Sequence, residues 1–80
     1  MEDSRISIQQ LRSAMALCGW TARALAINAG VSVGYINKQN SDRLGRLEGR
    51  AETVDKIMAA FSRAGLVFAH GGVHRRQRKA

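Results

Sequence analysis

The sequence predicts an all-α fold of four to five helices with a short extended or β segment at its C-terminal end. Three observations favour this class. Apolar residues recur at helical spacing through most of the chain, glycines follow the periodic segments, and no proline interrupts them. Because 80 residues leave room for only one core, we expect a single domain.

The first two predicted helices are short, and each ends at a glycine. The first follows Ser7, repeats apolar residues every three or four positions and stops at Gly19. The second follows Thr21, a good N-cap residue, and its inner stripe consists mostly of alanine, which lets another helix approach closely. Gly30 ends it, in a place where a left-handed backbone is usual.

A third, more polar helix is predicted after Ser32, which is placed to cap it. Ile36 is its only clear core residue, because Gln39 and Asn40 are polar one turn later. The stretch 40–50 reads as an irregular connection or a single helical turn.

The last predicted helix begins at Ala51 and closes at Gly65, with apolar residues at helical spacing between them. Beyond it, apolar residues alternate around Gly71 and Gly72. This pattern is typical of either a short hairpin or an extended strand with a flexible basic end.

The charge balance points to a polyanion as partner. Thirteen basic against six acidic residues give a net charge of +7 and a pI near 11.2. Residues 70–80 contain four basic residues and no acid. A basic tail that only keeps the protein soluble is the alternative interpretation.

Other features exclude several classes of protein. No apolar run is long enough for a bilayer and the N-terminus does not resemble a secretory signal, so we expect a cytoplasmic protein. Because of its positive charge, we expect it to associate with the nucleoid. Cys18 is the only cysteine, and His70 and His74 have no third partner, so we expect no metal and no other cofactor. No catalytic constellation is present, and the prediction is a non-enzyme.

The order of the second and third helices is that of a helix-turn-helix. In this motif two helices cross steeply through a short turn, which requires a small residue at the crossing, a glycine in the turn and apolar residues on both sides. Ala26, Gly30, Val31 and Ile36 fill these places at suitable separations. The third helix is then held with its polar side outward, which suits entry into the DNA major groove.

The segment LRSAMALCGWTARALAINAGVSVGYI, followed later by TVDKIMAAFSRAGLVF, resembles the lambda repressor and Cro family of regulators, also called the XRE type. The resemblance implies a sequence-specific DNA-binding transcriptional regulator, expected to act as a repressor that binds an inverted-repeat operator as a homodimer. Three departures stand out. Ala22 occupies a place where the family often has glutamine, Gln39 stands where an apolar residue is usual, and the connection between Ile36 and Thr53 is longer than common.

Carried over to this chain, the resemblance and the helical periodicity predict three groups of site residues. The base-reading candidates are Val33, Gly34, Asn37 and Lys38. The DNA-backbone candidates are Thr21, Arg23, Ser32, Tyr35, Arg43, Arg46, Arg50, Arg75 and Arg76. The dimerisation candidates, taken as exposed apolar residues, are Leu66, Val67, Phe68 and Val73. For Tyr35, packing at the domain edge is the alternative to a phosphate contact.

These predictions divide the chain into a helix-turn-helix DNA-binding domain at 1–69 and a basic C-terminal tail at 70–80. Two other functions remain open at this stage. One is an antitoxin-type protein-interaction module that also binds its own operator. The other is a non-specific nucleoid or RNA-binding protein that uses the same positive charge.

Overall fold

The computed structural model describes residues 6–41, 45, 47–69 and 72–76. Within them the chain forms four helices and one two-stranded antiparallel sheet. The elements are α1 (Ile8–Cys18), α2 (Ala22–Ala29), α3 (Val33–Ser41), α4 (Ala51–Arg63), β1 (Leu66–Ala69) and β2 (Gly72–Arg75).

The predicted all-α class is wrong, because the C-terminal segment forms a β-hairpin that is part of the fold. β1 pairs with β2 in a register that runs from Leu66 opposite Arg75 to Ala69 opposite Gly72. The hairpin packs against α1 and α4. Its apolar side covers core that the short helices leave open, so the hairpin is a structural layer rather than an appendage. The described part of the chain contains four helices and no fifth.

The predicted starts and stops of the helices are confirmed. The side chain of Ser7 accepts a hydrogen bond from the Gln10 amide, and the Gln10 side chain accepts one from the Ser7 amide, which together form a capping box. Thr21 caps α2 through the Ala24 amide. Gly19 ends α1 in the left-handed conformation, with a φ of 69°.

The core is built around Phe61 on α4, which is completely buried. Trp20 stacks on it with ring centroids 5.4 Å apart, and Phe68 of β1 meets it edge-on at 5.8 Å. The other fully buried large side chains are Ile6, Ile8, Leu11, Leu25, Ile36, Ile57 and Leu66. Every helix and the hairpin therefore contribute to one core.

The connection between α3 and α4 is irregular where it is described, and the backbone of Ile6 and Ile8 holds it in place. The Ile8 amide donates to the Gly45 carbonyl at 3.0 Å, and the Leu47 amide donates to the Ile6 carbonyl at 3.2 Å. Leu47 is buried between these contacts and α4 begins four residues later. No helix in the described residues is both long and apolar enough to cross a lipid bilayer.

Candidate nucleic-acid interface

A three-residue turn joins α2 to α3 and fixes their crossing. Gly30 has a φ of 75° and a ψ of 36°, a left-handed conformation that other residues rarely adopt. The Gly30 and Val31 amides both donate to the Ala26 carbonyl, at 2.8 and 3.1 Å. The Ser32 hydroxyl accepts the Tyr35 amide at 3.1 Å and so caps α3 as expected. Of the four residues of the helix-turn-helix pattern, Ala26 and Ile36 are buried, Val31 is half-buried and Gly30 is exposed.

The four predicted base-reading residues lie together on exposed parts of α3. Val33 is 40% exposed, and Gly34, Asn37 and Lys38 are exposed as well. Ile36 faces the core with no exposed surface. The exposed side of α3 therefore carries one apolar, one amide and one amine side chain, with a glycine among them.

Gln39 is the residue of α3 that the sequence reasoning missed. It is only 4% exposed, and its Oε1 accepts the Glu48 amide at 3.1 Å. The polar residue in an apolar position is thus satisfied by the backbone of the following connection. The sequence signal for this buried contact is that a polar residue stands at a position where an apolar residue is expected.

Tyr35 makes a second contact between α3 and the backbone of Glu48. Its hydroxyl donates to the Glu48 carbonyl, and its ring is half-buried against the core. Burial, and to a smaller extent the Glu48 carboxylate, raise the pKa of this hydroxyl. Since its only proton is used internally, Tyr35 has none to offer a phosphate, and packing is the role that the geometry supports.

Some of the remaining candidates for contact with the DNA backbone are exposed, and others lie outside the described residues. Thr21 and Arg23 are exposed at the start of α2, Ser32 is exposed before α3, and Arg50 is exposed directly before α4. Arg43 and Arg46 lie outside the described residues. Thr21 already accepts one hydrogen bond as an N-cap, at 3.1 Å from the Ala24 amide.

Arg75 and Arg76 are anchored to the ends of two helices. The Arg75 guanidinium donates to the Leu17 carbonyl in the last turn of α1. The Arg76 guanidinium donates to the Ser62 carbonyl and hydroxyl in the last turn of α4, at 3.5 and 3.4 Å. A positive charge is stabilising at a helix C-terminus because of the helix dipole. These two arginines therefore have an internal role that the sequence reasoning did not assign to them.

The dimerisation candidates differ from the expectation that all four are exposed. Leu66 is 2% exposed and belongs to the core, so the expectation that it is exposed was wrong. Val67, Phe68 and Val73 are half-buried. Val67 and Phe68 line a shallow groove between α4 and the hairpin, together with Met58 and Ala59.

The titratable side chains of the described residues give little indication of metal binding or of a reactive thiol. They contain no group of three or more His, Cys, Asp or Glu side chains that could hold a metal ion. Cys18 is half-buried, and burial raises the pKa of its thiol, an effect that Arg75 partly opposes. His74 is exposed on β2, whereas His70 lies outside the described residues.

Comparisons with known proteins return no match to a family model, to a curated protein or to a solved structure.

Proposed function

We propose that this protein is a sequence-specific DNA-binding transcriptional regulator of the lambda repressor and Cro type, and not an enzyme. It binds an inverted-repeat operator as a homodimer and represses by occupying a promoter. One observation carries the proposal. The turn at Gly30–Ser32 is followed by a helix whose inner residues, Ile36 and Gln39, are buried while Asn37 and Lys38 are exposed.

The chemistry of these two side chains fits the edges of bases in the major groove. An asparagine amide can bond N6 and N7 of adenine together, and a lysine amine can donate to O6 or N7 of guanine. The groove is about 12 Å wide and admits one helix. The contacts of Tyr35 and Gln39 with Glu48 support the proposal because they hold α3 from the inner side and leave its outer side free.

The positive charge supports a nucleic-acid partner through the phosphate backbone. The net charge is +7, and each phosphate that a lysine or arginine neutralises releases condensed counterions. Arg23 at the start of α2 and Arg50 before α4 are exposed candidates for these contacts. Such contacts position the protein on the duplex without reading its sequence.

The decisive experiment is selection of bound sites from randomised duplexes, followed by affinity measurements on the selected site. We expect an inverted repeat whose half-site centres lie about 34 Å apart or a multiple of that distance. Asn37→Ala combined with Lys38→Ala is expected to reduce the preference for the selected site over random duplex by at least about tenfold, since each good base contact contributes roughly 1–3 kcal/mol.

The matched control is Lys56→Ala, which removes the same charge from an exposed position of α4. This variant is expected to retain the preference, and all variants should unfold at nearly the same temperature. Equal binding of the parent protein to random duplex and to RNA would contradict the proposal and indicate a non-specific nucleic-acid-binding protein. Co-purification with a protein partner, without preference for any duplex, would indicate the interaction module.

The homodimer follows from the small size of the reading surface. One nine-residue helix covers few base pairs, and symmetric dimers read two half-sites. The half-buried residues Val67, Phe68 and Val73 remain the candidates for the interface. Light scattering at micromolar concentration should give a dimer mass on the selected site, and a monomer mass with and without DNA would contradict this part of the proposal.

A further inference from the structure

Two apolar side chains from different helices are exposed side by side. Ile27 of α2 is 72% exposed and Val33 of α3 is 40% exposed, and no other large hydrophobic residue in the described part of the chain is exposed. Both line one shallow groove, together with Ala26, Val31 and Arg23. Of this pair, the sequence predicts only Val33 as a base-reading residue.

The position of this groove links it to the proposed DNA interface. Val33 is the first residue of α3, and Asn37 follows it by four residues, so their side chains lie on the same side of the helix. A Cβ atom added to Gly34 would meet nothing within 4 Å. The surface beside Val33 is therefore open, and a base edge can approach it closely.

An apolar surface in a DNA interface needs an apolar partner in the groove. The only such group that the bases present in the major groove is the C5-methyl of thymine. We propose that Val33 and Ile27 form a methyl-reading site that selects thymine next to the bases contacted by Asn37 and Lys38. This inference rests on the proposed function.

The test uses the full-length protein and the duplex obtained by site selection. Each thymine in turn is replaced by deoxyuridine, which removes only the methyl group. Uracil at one position of a single half-site is expected to weaken binding about fourfold, the effect of losing one buried methyl group. At that position Val33→Ala should discriminate thymine from uracil less than the parent does, which is the coupling that a double-mutant cycle measures.

Three further variants make the result specific. Val33→Ser removes both methyl groups and leaves a hydroxyl in their place, so it should lose most of the fourfold difference even if Val33→Ala fails to fold. Ile27→Ala should reduce the difference, and an undiminished difference would remove Ile27 from the site. Gln9→Ala, an exposed substitution on α1, should keep the full difference.

Two results would overturn the inference while leaving the proposed function intact. One is a selected site in which uracil at every position leaves the affinity of the parent protein unchanged. The other is a Val33→Ala protein that discriminates thymine from uracil as the parent does. Failure to select any sequence would overturn both the inference and the proposed function.

Discussion

Tyr35 and Gln39 are the residues of α3 whose side chains fix the helix to the following connection. Other side chains of α3 are exposed to solvent. Both side chains bond the backbone of Glu48, one through its carbonyl and the other through its amide. Neither role is a property of the residue type alone, because each depends on where the chain returns after α3. The two contacts leave Asn37 and Lys38 as the exposed polar side chains of this helix.

At the residue scale, Tyr35 should titrate at unusually high pH. It is the only tyrosine, and burial followed by the Glu48 carboxylate raises the pKa of its hydroxyl above its usual value. The folded state then holds this proton more tightly than the unfolded chain does. Its contribution to stability is complete below the unfolded pKa of about 10 and falls as the pH rises above it.

Ultraviolet absorbance of the tyrosinate, followed during an alkaline titration of folded and unfolded protein, checks this prediction. The folded chain should ionise at the higher pH. Tyr35→Phe should lower stability at neutral pH by about 1 kcal/mol, the contribution of one hydrogen bond, and should flatten the alkaline decline. Identical titration curves for folded and unfolded chains would contradict the assigned environment.

Gly49 provides a second prediction at this scale. Its φ is 136°, and a Cβ atom added there would lie 3.0 Å from the Tyr35 hydroxyl oxygen. Gly49→Ala should therefore destabilise the fold by about 2 kcal/mol or more, from backbone strain together with the displaced ring.

Gly34→Ala is the matched control for Gly49→Ala, because it adds the same methyl group in a helix with open space around it. It should stabilise by about 0.5–1 kcal/mol, since alanine favours helix over glycine. Chemical denaturation of both variants measures the contrast. Equal losses at the two positions would show that the contact between Gly49 and Tyr35 is not the cause.

At the element scale, Gln10 joins the start of α1 to the hairpin. It is 7% exposed. Its Oε1 accepts the Ser7 amide, and its Nε2 donates to the Ala69 carbonyl at 3.0 Å and to the Gly72 carbonyl at 2.9 Å. One side chain thus caps α1 and bonds the last residue of β1 and the first residue of β2. A two-stranded hairpin is marginal alone, so this contact and the Phe61–Phe68 packing tie it to the domain.

Gln10→Ala is expected to destabilise the domain by about 2–3 kcal/mol, because it removes three hydrogen bonds to partly buried backbone groups. Gln10→Glu keeps the acceptor for the Ser7 amide but loses both donors when ionised. Its stability should therefore recover partly as the pH falls and the carboxyl becomes protonated.

Thermal unfolding measured over a range of pH tests both Gln10 variants. The exposed neighbour provides the control, since Gln9→Ala should change stability by less than about 0.5 kcal/mol. A Gln10→Ala protein as stable as the Gln9→Ala protein would show that the hairpin does not depend on this side chain.

At the scale of the whole molecule, part of the positive charge serves the fold. Arg63 donates to the Asn28 carbonyl at the end of α2 at 2.8 Å, Arg75 bonds the end of α1, and Arg76 bonds the end of α4. Three helix C-termini thus each receive an arginine, where the dipole favours a cation. The net charge of +7 is therefore not equivalent to seven free phosphate contacts.

This distinction gives a prediction for the basic end of the chain. Replacing Arg78 and Lys79 by alanine should weaken binding to all duplexes alike and reduce the slope of log affinity against log salt concentration by up to about 2. Arg75→Ala and Arg76→Ala should in addition lower stability, because each removes a hydrogen bond to the end of a helix. Titrations at several salt concentrations measure the slope, and a loss of preference for the selected site would contradict this role.

Much of the helical framework could be predicted because its determinants are local. Ser7, Thr21 and Ser32 cap helices, and Gly19 and Gly30 end them in the left-handed conformation, as their sequence positions indicated. The outward position of Asn37 and Lys38 followed from helical periodicity once Ile36 was taken as buried. These features depend on residues within one or two turns of each other.

The sequence by itself determined where the helices begin and end and which side of α3 is polar, because capping, glycine conformation and periodicity act between near neighbours. Only the tertiary structure decided that the C-terminal segment is a packed hairpin, that Gln39 is buried and that Leu66 is core. These outcomes depend on partners far along the chain, such as Gln10 for the hairpin and Glu48 for α3. Burial is set by what lies opposite a residue, which local pattern does not specify.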